Sequence, residues 1–161
     1  SFYHYNGQSF ETPSLDLKNY VQLNGTWKFN WTASPDTRPT DFFKENYDVS
    51  KWADIDVPSD WQMRGYDYPI YTNIEYPFPK NAPYIPHSYN PVGSYKRTFE
   101  INSTWAEKQV FLHFGGVNSA FYVWVNGQLV GYSEDSKTPA EFDITEFIRV
   151  GTNDISVEVY R

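Results

Sequence analysis

Apolar positions along this chain recur mostly with a period of two. Trp27, Phe29 and Trp31 alternate with Lys28 and Asn30, and Ile55 and Val57 alternate with Asp54 and Asp56. From residue 94 the pattern becomes denser. Tyr95, Arg97, Phe99 and Ile101 alternate, as do Val110, Leu112 and Phe114, then Phe121, Val123 and Val125, and finally Ile155, Val157 and Val159. A period of two sends successive side chains to opposite faces of a strand, so each run predicts a strand. Asn126-Gly127 separates the Phe121 run from Leu129 to Tyr132. Both residues tolerate the positive φ of a type I′ turn, so a tight hairpin is predicted there. One helical turn is predicted over 143–149, with Phe147 and Ile148 inward, and a short one over 41–45. Strands at roughly 8–12-residue spacing predict an antiparallel sandwich.

Two segments fall outside the alternation. Residues 1–20 are polar and aromatic without a clear period and read as an irregular arm. Residues 58–93 hold seven of the 11 prolines, six tyrosines and Trp61. Proline removes a backbone donor and breaks ladders and helices, so regular structure is not expected. Long loops in compact domains are commonly functional or disordered, and the aromatics argue for order. The segment is therefore read as an ordered Pro/Tyr-rich loop packed on the domain and carrying part of a site.

Composition narrows the class further. The 161 residues suit a single domain, 1–161. Aromatic residues make up 20% of the chain, half of its 40% hydrophobic content. That excludes disorder and argues against long helices, because aromatics favour strands. A formal net charge of −7 argues against nucleic acid or an anionic membrane as partner. No window approaches 18 uninterrupted apolar residues, which removes a helical membrane span. Cysteine is absent, and with it disulfides, thiolate catalysis and cysteine zinc sites. No cationic leader precedes an apolar stretch, and the compartment is left open. The stop at Arg161, at a strand end, reads as a domain of something longer.

Candidate chemistry is sparse. His4, His87 and His113 are far apart and lack metal-ligand spacing, and there is no nucleophile elbow or phosphate loop. Gly115-Gly116 reads as a turn or bulge. The neighbouring carboxylates Glu134 with Asp135 and Glu141 with Asp143 lie near turns. A glycosidase pair needs carboxyls about 5 Å or about 6.5–9.5 Å apart, and solvated turn carboxylates are the plainer reading. Sequons at Asn24, Asn30 and Asn102 matter only in a chain secreted by a eukaryote. The alternating rings Trp27, Phe29, Trp31, Phe99, Phe114 and Phe121 read as core. Those in 58–93 read first as packing against the sheet and second as a platform for a sugar.

Four stretches carry a resemblance. LNGTWKFNW (Leu23 to Trp31), VPSDWQMRGYDYPIYTN (Val57 to Asn73), YNPVGSYKRTF (Tyr89 to Phe99) and GVNSAFYVWVNGQLVGYSEDSKTPAEFDIT (Gly116 to Thr145) together resemble the N-terminal domain of the large β-galactosidases of glycoside hydrolase family 2. The run from Trp61 to Asn73 favours β-galactosidases over their β-glucuronidase and β-mannosidase relatives. The resemblance implies an all-β jelly-roll sandwich, in agreement with the alternation. It also implies a bacterial enzyme of the cytoplasm or periplasm, oligomeric at full length and using sodium and magnesium.

In that family the acid/base and nucleophile glutamates sit in a TIM barrel downstream, so no catalytic residue is expected here. The first domain reaches the active site by loops. Asn90, in Asn90-Pro91-Val92-Gly93, matches an asparagine whose amide would hydrogen-bond sugar hydroxyls. Asp135, in Gly131-Tyr132-Ser133-Glu134-Asp135-Ser136, matches an aspartate that would ligate sodium and contact galactose. On pattern alone, Asn90 would cap a turn and Asp135 would sit in a hairpin loop. Asn118 is expected to satisfy backbone groups in a turn, and Glu134 receives no role. Three functions are thus open: an accessory domain of a β-galactosidase, a free-standing carbohydrate-binding module, and a structural interaction domain.

Overall fold

The computed structural model describes residues 3–5, 8–10, 20–23, 25–57, 61–66, 91–115, 120–134 and 140–160. Within them are twelve strands. They are β1 (Tyr3–Tyr5), β2 (Gln8–Phe10), β3 (Tyr20–Gln22), β4 (Gly25–Thr32), β5 (Ala53–Val57), β6 (Trp61–Tyr66), β7 (Val92–Ile101), β8 (Gln109–Phe114), β9 (Ala120–Val125), β10 (Gln128–Ser133), β11 (Ala140–Asp143) and β12 (Gly151–Tyr160). Every pairing is antiparallel. One sheet has the order β10-β9-β12-β7-β4-β5 and the other β11-β8-β6-β3, beside a separate β1-β2 hairpin. The predicted all-β antiparallel sandwich is the observed architecture.

The predicted inner faces form the core. Trp27, Phe99, Ile101, Phe121, Val123, Val125, Ile155 and Val157 of the larger sheet join Val110, Leu112, Phe114, Ala140 and Phe142 of the smaller in one cluster. Phe114, Phe121 and Phe142 interlock across the two sheets, with ring centroids 5.1 and 6.1 Å apart. Aromatic rings tilted at such distances attract beyond the area they bury. Trp27 also has its polar handle satisfied, since its Nε1 donates to the Leu23 carbonyl at 2.7 Å.

The hairpin at Asn126-Gly127 has φ of 50° and 77°, the left-handed pair that a type I′ turn demands. The Asn126 side chain then ties the turn to its surroundings. Its Nδ2 donates to the Phe147 carbonyl and to Asn153 Oδ1, and its Oδ1 accepts from the Asp154 amide, each at 2.8 Å. Residues 143–149 make a turn closed by the Phe147 amide on the Ile144 carbonyl, and Phe147 and Ile148 pack against the core. Hydrogen-bonded turns, not a helix, occupy 41–47.

Three expectations are corrected. The arm over 1–20 is not wholly irregular, because β1 and β2 pair as a hairpin. Asn6-Gly7 between them is the same turn signal as Asn126-Gly127, here between runs too short to show a period. The loop over 58–93 is interrupted by β6, which lies between β8 and β3. Trp61 to Tyr66 contains no proline, so its backbone donors remain available to a ladder on both sides. Residues 58–60 and 67–90 lie outside the described residues. Finally, Trp31 is not core: it is 55% exposed. Its parity matches Trp27, but it stands at the far end of β4, and the core cluster takes Trp27 from that strand without Phe29 or Trp31.

The larger sheet is covered on both faces. Its outer face carries Phe42, fully buried, with Trp52 at 5.8 Å and Trp124 at 5.7 Å, while Phe43 stacks on Trp124 at 5.4 Å. Residues 33–52 thus lay a second aromatic layer over β9. Alternation therefore fails as an exposure signal in β12, where residues 153 to 158 are all buried.

Candidate functional site

Strand register places the ends of the motif-bearing segments together. Thr32, Val92, Tyr160 and Ala120 stand opposite one another across β4, β7, β12 and β9. Val92 opens β7, Ala120 opens β9, and Ser133, paired with Phe121, closes β10. The segments before Val92, before Ala120 and after Ser133 therefore attach to one end of the larger sheet. Asn90 and Asp135 are each two residues from such an anchor, and both lie outside the described residues, as does Asn118. Val92 and Ser133 are three strands apart, roughly 14 Å by ordinary strand spacing.

Beneath this end, on the outer face, the next row is Asn30, Ser94, Glu158, Tyr122 and Tyr132. It holds one member of each of two tyrosine–carboxylate pairs. Tyr132 donates its hydroxyl to Glu134 Oε1 at 2.6 Å, and Tyr160 donates to Glu158. The Tyr122 ring lies 4.5 Å from Tyr132 and 6.0 Å from Tyr160. Arg38 brings Nε to 3.6 Å from Glu158 and donates Nη1 to the Pro35 carbonyl at 2.7 Å. Among the described residues, Thr32 Oγ1, Ser94 Oγ and Arg38 Nε are buried without a hydrogen-bond partner, although Arg38 Nε keeps its ion pair with Glu158.

Burial dominates the electrostatics here. It pushes the carboxyl of Glu158 up, against the opposing pull of Tyr160 and Arg38. It also raises the phenols of Tyr122, Tyr132 and Tyr160, helped by the neighbouring carboxylates. The phenols stay protonated, and those of Tyr132 and Tyr160 donate. Each pair joins side chains two residues apart in one segment, so each is a local bond along its own strand end. One row further, Lys96 Nζ meets Asp154 at 2.6 Å and Ser156 at 2.9 Å, all three buried. Burial raises Asp154 while Lys96 pulls it down.

Of the other carboxylates weighed from sequence, Asp143 behaves as a turn residue, whereas Glu141 lies within β11 opposite His113 rather than in a turn. Asp143 accepts from the Thr145 amide at 3.0 Å and from its hydroxyl at 2.6 Å. Asn102 of the third sequon accepts from the Thr104 amide at 3.0 Å, capping a short 3-10 turn. Among the described residues no three His, Asp or Glu side chains gather as a metal site. The outer cluster of Arg38, Tyr122, Tyr132, Glu134, Glu158 and Tyr160 was missed by sequence reasoning. The parity of Asp154, Ser156, Glu158 and Tyr160 was visible, but nothing in it signalled a cover over that face.

The described strands form an antiparallel β-sandwich with the motif-bearing segments attached to one end of its larger sheet. The family model described as "Glycosyl hydrolases family 2, sugar binding domain" matches residues 20–161, and the chain belongs to that family. It is 53% identical to a β-galactosidase of Priestia megaterium over 94% of this chain and 16% of that relative. To a β-galactosidase of Psychromonas ingrahamii it is 47% identical over 86% of this chain and 13% of that relative. The chain thus spans about one-sixth of the length of the first of these relatives and less of the second. Among solved structures, a β-glucuronidase of Bifidobacterium dentium superposes with a TM-score of 0.62 at 23% identity, covering 92% of this chain and 21% of that one. A calcium-binding mutant of a Bacteroides uniformis β-glucuronidase does so with a TM-score of 0.61 at 24% identity, covering 86% and 14%. These two likenesses establish the fold.

Proposed function

We propose that this chain is the accessory sugar-binding domain of a retaining β-galactosidase that removes terminal non-reducing β-D-galactosyl residues. The observation that carries the reading is 53% identity to a β-galactosidase across nearly the whole chain. The parent would work through a galactosyl-enzyme intermediate formed on a carboxylate supplied elsewhere in the polypeptide. This domain would contribute its loop-bearing end to the galactose subsite. Asn90 and Asp135 are the residues proposed to touch the sugar, and Asp135 also to ligate sodium; the support for both is the motif match. Magnesium is proposed for the parent and not for this chain. No carboxylate described here is assigned catalysis.

Two measurements test this. The purified chain should not turn over a chromogenic β-galactoside, and turnover lost on Asp135→Ala would overturn the division of labour. In the complete protein, Asp135→Ala should lower kcat/KM by about one to two decades, because a hydrogen bond to a charged group contributes about 1.5–3 kcal/mol, and Asn90→Ala by about one decade or less, because its neutral amide would bond neutral hydroxyls. Unchanged kinetics would remove these two residues from the site and leave a structural domain. The free-standing module is the second reading. Micromolar affinity of the chain alone for lactose, seen by calorimetry, would favour it; the accessory reading expects nothing tighter than millimolar.

A further inference from the structure

The inner face of the larger sheet is buried along most of its length and opens at one end. Along β4, Trp27 is fully buried, Phe29 is half-buried and Trp31 is 55% exposed. Opposite Trp31 stands Gly93, and opposite Gly93 stands Val159, which is half-buried. In the row beneath, Phe29 pairs with Tyr95, their rings 4.8 Å apart. Both rings lean over the glycine: a Cβ on Gly93 would meet Phe29 Cε2 at 3.1 Å and Tyr95 Cε2 at 3.2 Å. The result is an apolar shelf of Trp31, Phe29, Tyr95 and Val159, of which Tyr95 and Val159 also pack against the core cluster.

We propose that this shelf is a docking surface for further polypeptide of the complete protein, an apolar segment that extends the sandwich core outward. The inference rests on the reading that the chain is one domain of a longer enzyme. Three observations select a protein occupant. The first of the relatives is about six times as long as the stretch matched here and the second longer still, so an intramolecular partner exists in such proteins. The shelf is continuous with the hydrophobic core, so a covering segment buries surface that is already half dry. Its lining is apolar, whereas a sugar site needs placed polar groups to fix hydroxyls. Trp is also the residue type most often found to anchor interfaces.

The test is selective oxidation of indoles by limiting N-bromosuccinimide, read by peptide mass mapping with buried Trp27 as internal reference. In the 161-residue chain Trp31 should react at least about tenfold faster than Trp27, since a buried ring reacts only on local opening. In the complete polypeptide the two rates should come within a factor of about two. Equal exposure of Trp31 in both proteins would overturn the proposal. Slow oxidation in the 161-residue chain would also overturn it, because other residues of the same chain would then be the cover. Protection in the 161-residue chain by added lactose would overturn it in favour of a sugar platform. Hydrolysis of a chromogenic β-galactoside by the same complete protein separates the two readings. Protection without activity removes the enzyme and keeps the docking surface; activity without protection does the reverse.

Discussion

Gly131 and Glu158 show how single positions hold this molecule together. A Cβ on Gly131 would lie 2.5 Å from Phe142 Cε1, inside the ring trio that locks the sheets together. Gly131→Ala should therefore cost about 1–3 kcal/mol in denaturant unfolding, as overpacking does. Combining it with Phe142→Leu should cost less than the sum of the single changes, because the second makes room for the first. At Glu158, burial raises the carboxyl above its ordinary 4.5. A raised folded-state value means the native chain holds that proton more firmly than the unfolded one. Its contribution is fully present below pH 4.5 and is lost as pH rises through the folded value. Glu158→Gln removes this loss, so the variant should gain on the parent from pH 4 to 7 in urea midpoints. Parallel midpoint curves would show that the carboxyl is not raised. Trp31 gives the opposite lesson: parity with Trp27 was legible, but its position beyond the core was not, since alternation gives a face and not a distance along it.

At the scale of elements, turn chemistry was the most legible feature. Asn126-Gly127 predicted the hairpin because few other residue pairs accept two positive φ angles. The three side-chain bonds of Asn126 were not legible, as they depend on the 143–149 turn and β12 arriving beside it. Asn126→Ala should cost roughly 2–3 kcal/mol, combining lost hydrogen bonds with a left-handed alanine. Asn126→Gly keeps the backbone conformation easy and should cost less; the difference isolates the backbone share. β6 was hidden because prolines on both sides coloured the whole segment, although the six residues of the strand contain none. The candidate site was legible as motifs only. Asn90 and Asp135 are proposed from likeness to a family, while register adds that the strands flanking them, β7 and β10, meet one end of the larger sheet.

At the scale of the whole molecule, the aromatic composition announced a β-sandwich and concealed that the chain builds two hydrophobic layers. Strand alternation encodes one face per strand, so a cover made of 33–52 leaves no period of its own. Phe42 is the test of that outer layer. It is fully buried between Trp52 and Trp124, and Phe42→Ala should cost about 3–5 kcal/mol with a change in tryptophan emission. A loss below about 1 kcal/mol would mean the layer is dispensable cladding. Its buried polar rows, Lys96 with Asp154 and Glu158 with Tyr160, also set this face apart from the dry core between the sheets.

The position of β12 has a consequence for how the protein is made. β12 stands between β9 and β7, with six and ten paired residues respectively. Until residues 151–160 leave the ribosome, the β9-β10 hairpin and the β7-β4-β5 ribbon have no strand to join them. Each then presents an open edge to neighbouring nascent chains. The sheet is completed by insertion into its middle, so this sandwich cannot close before β12 is available.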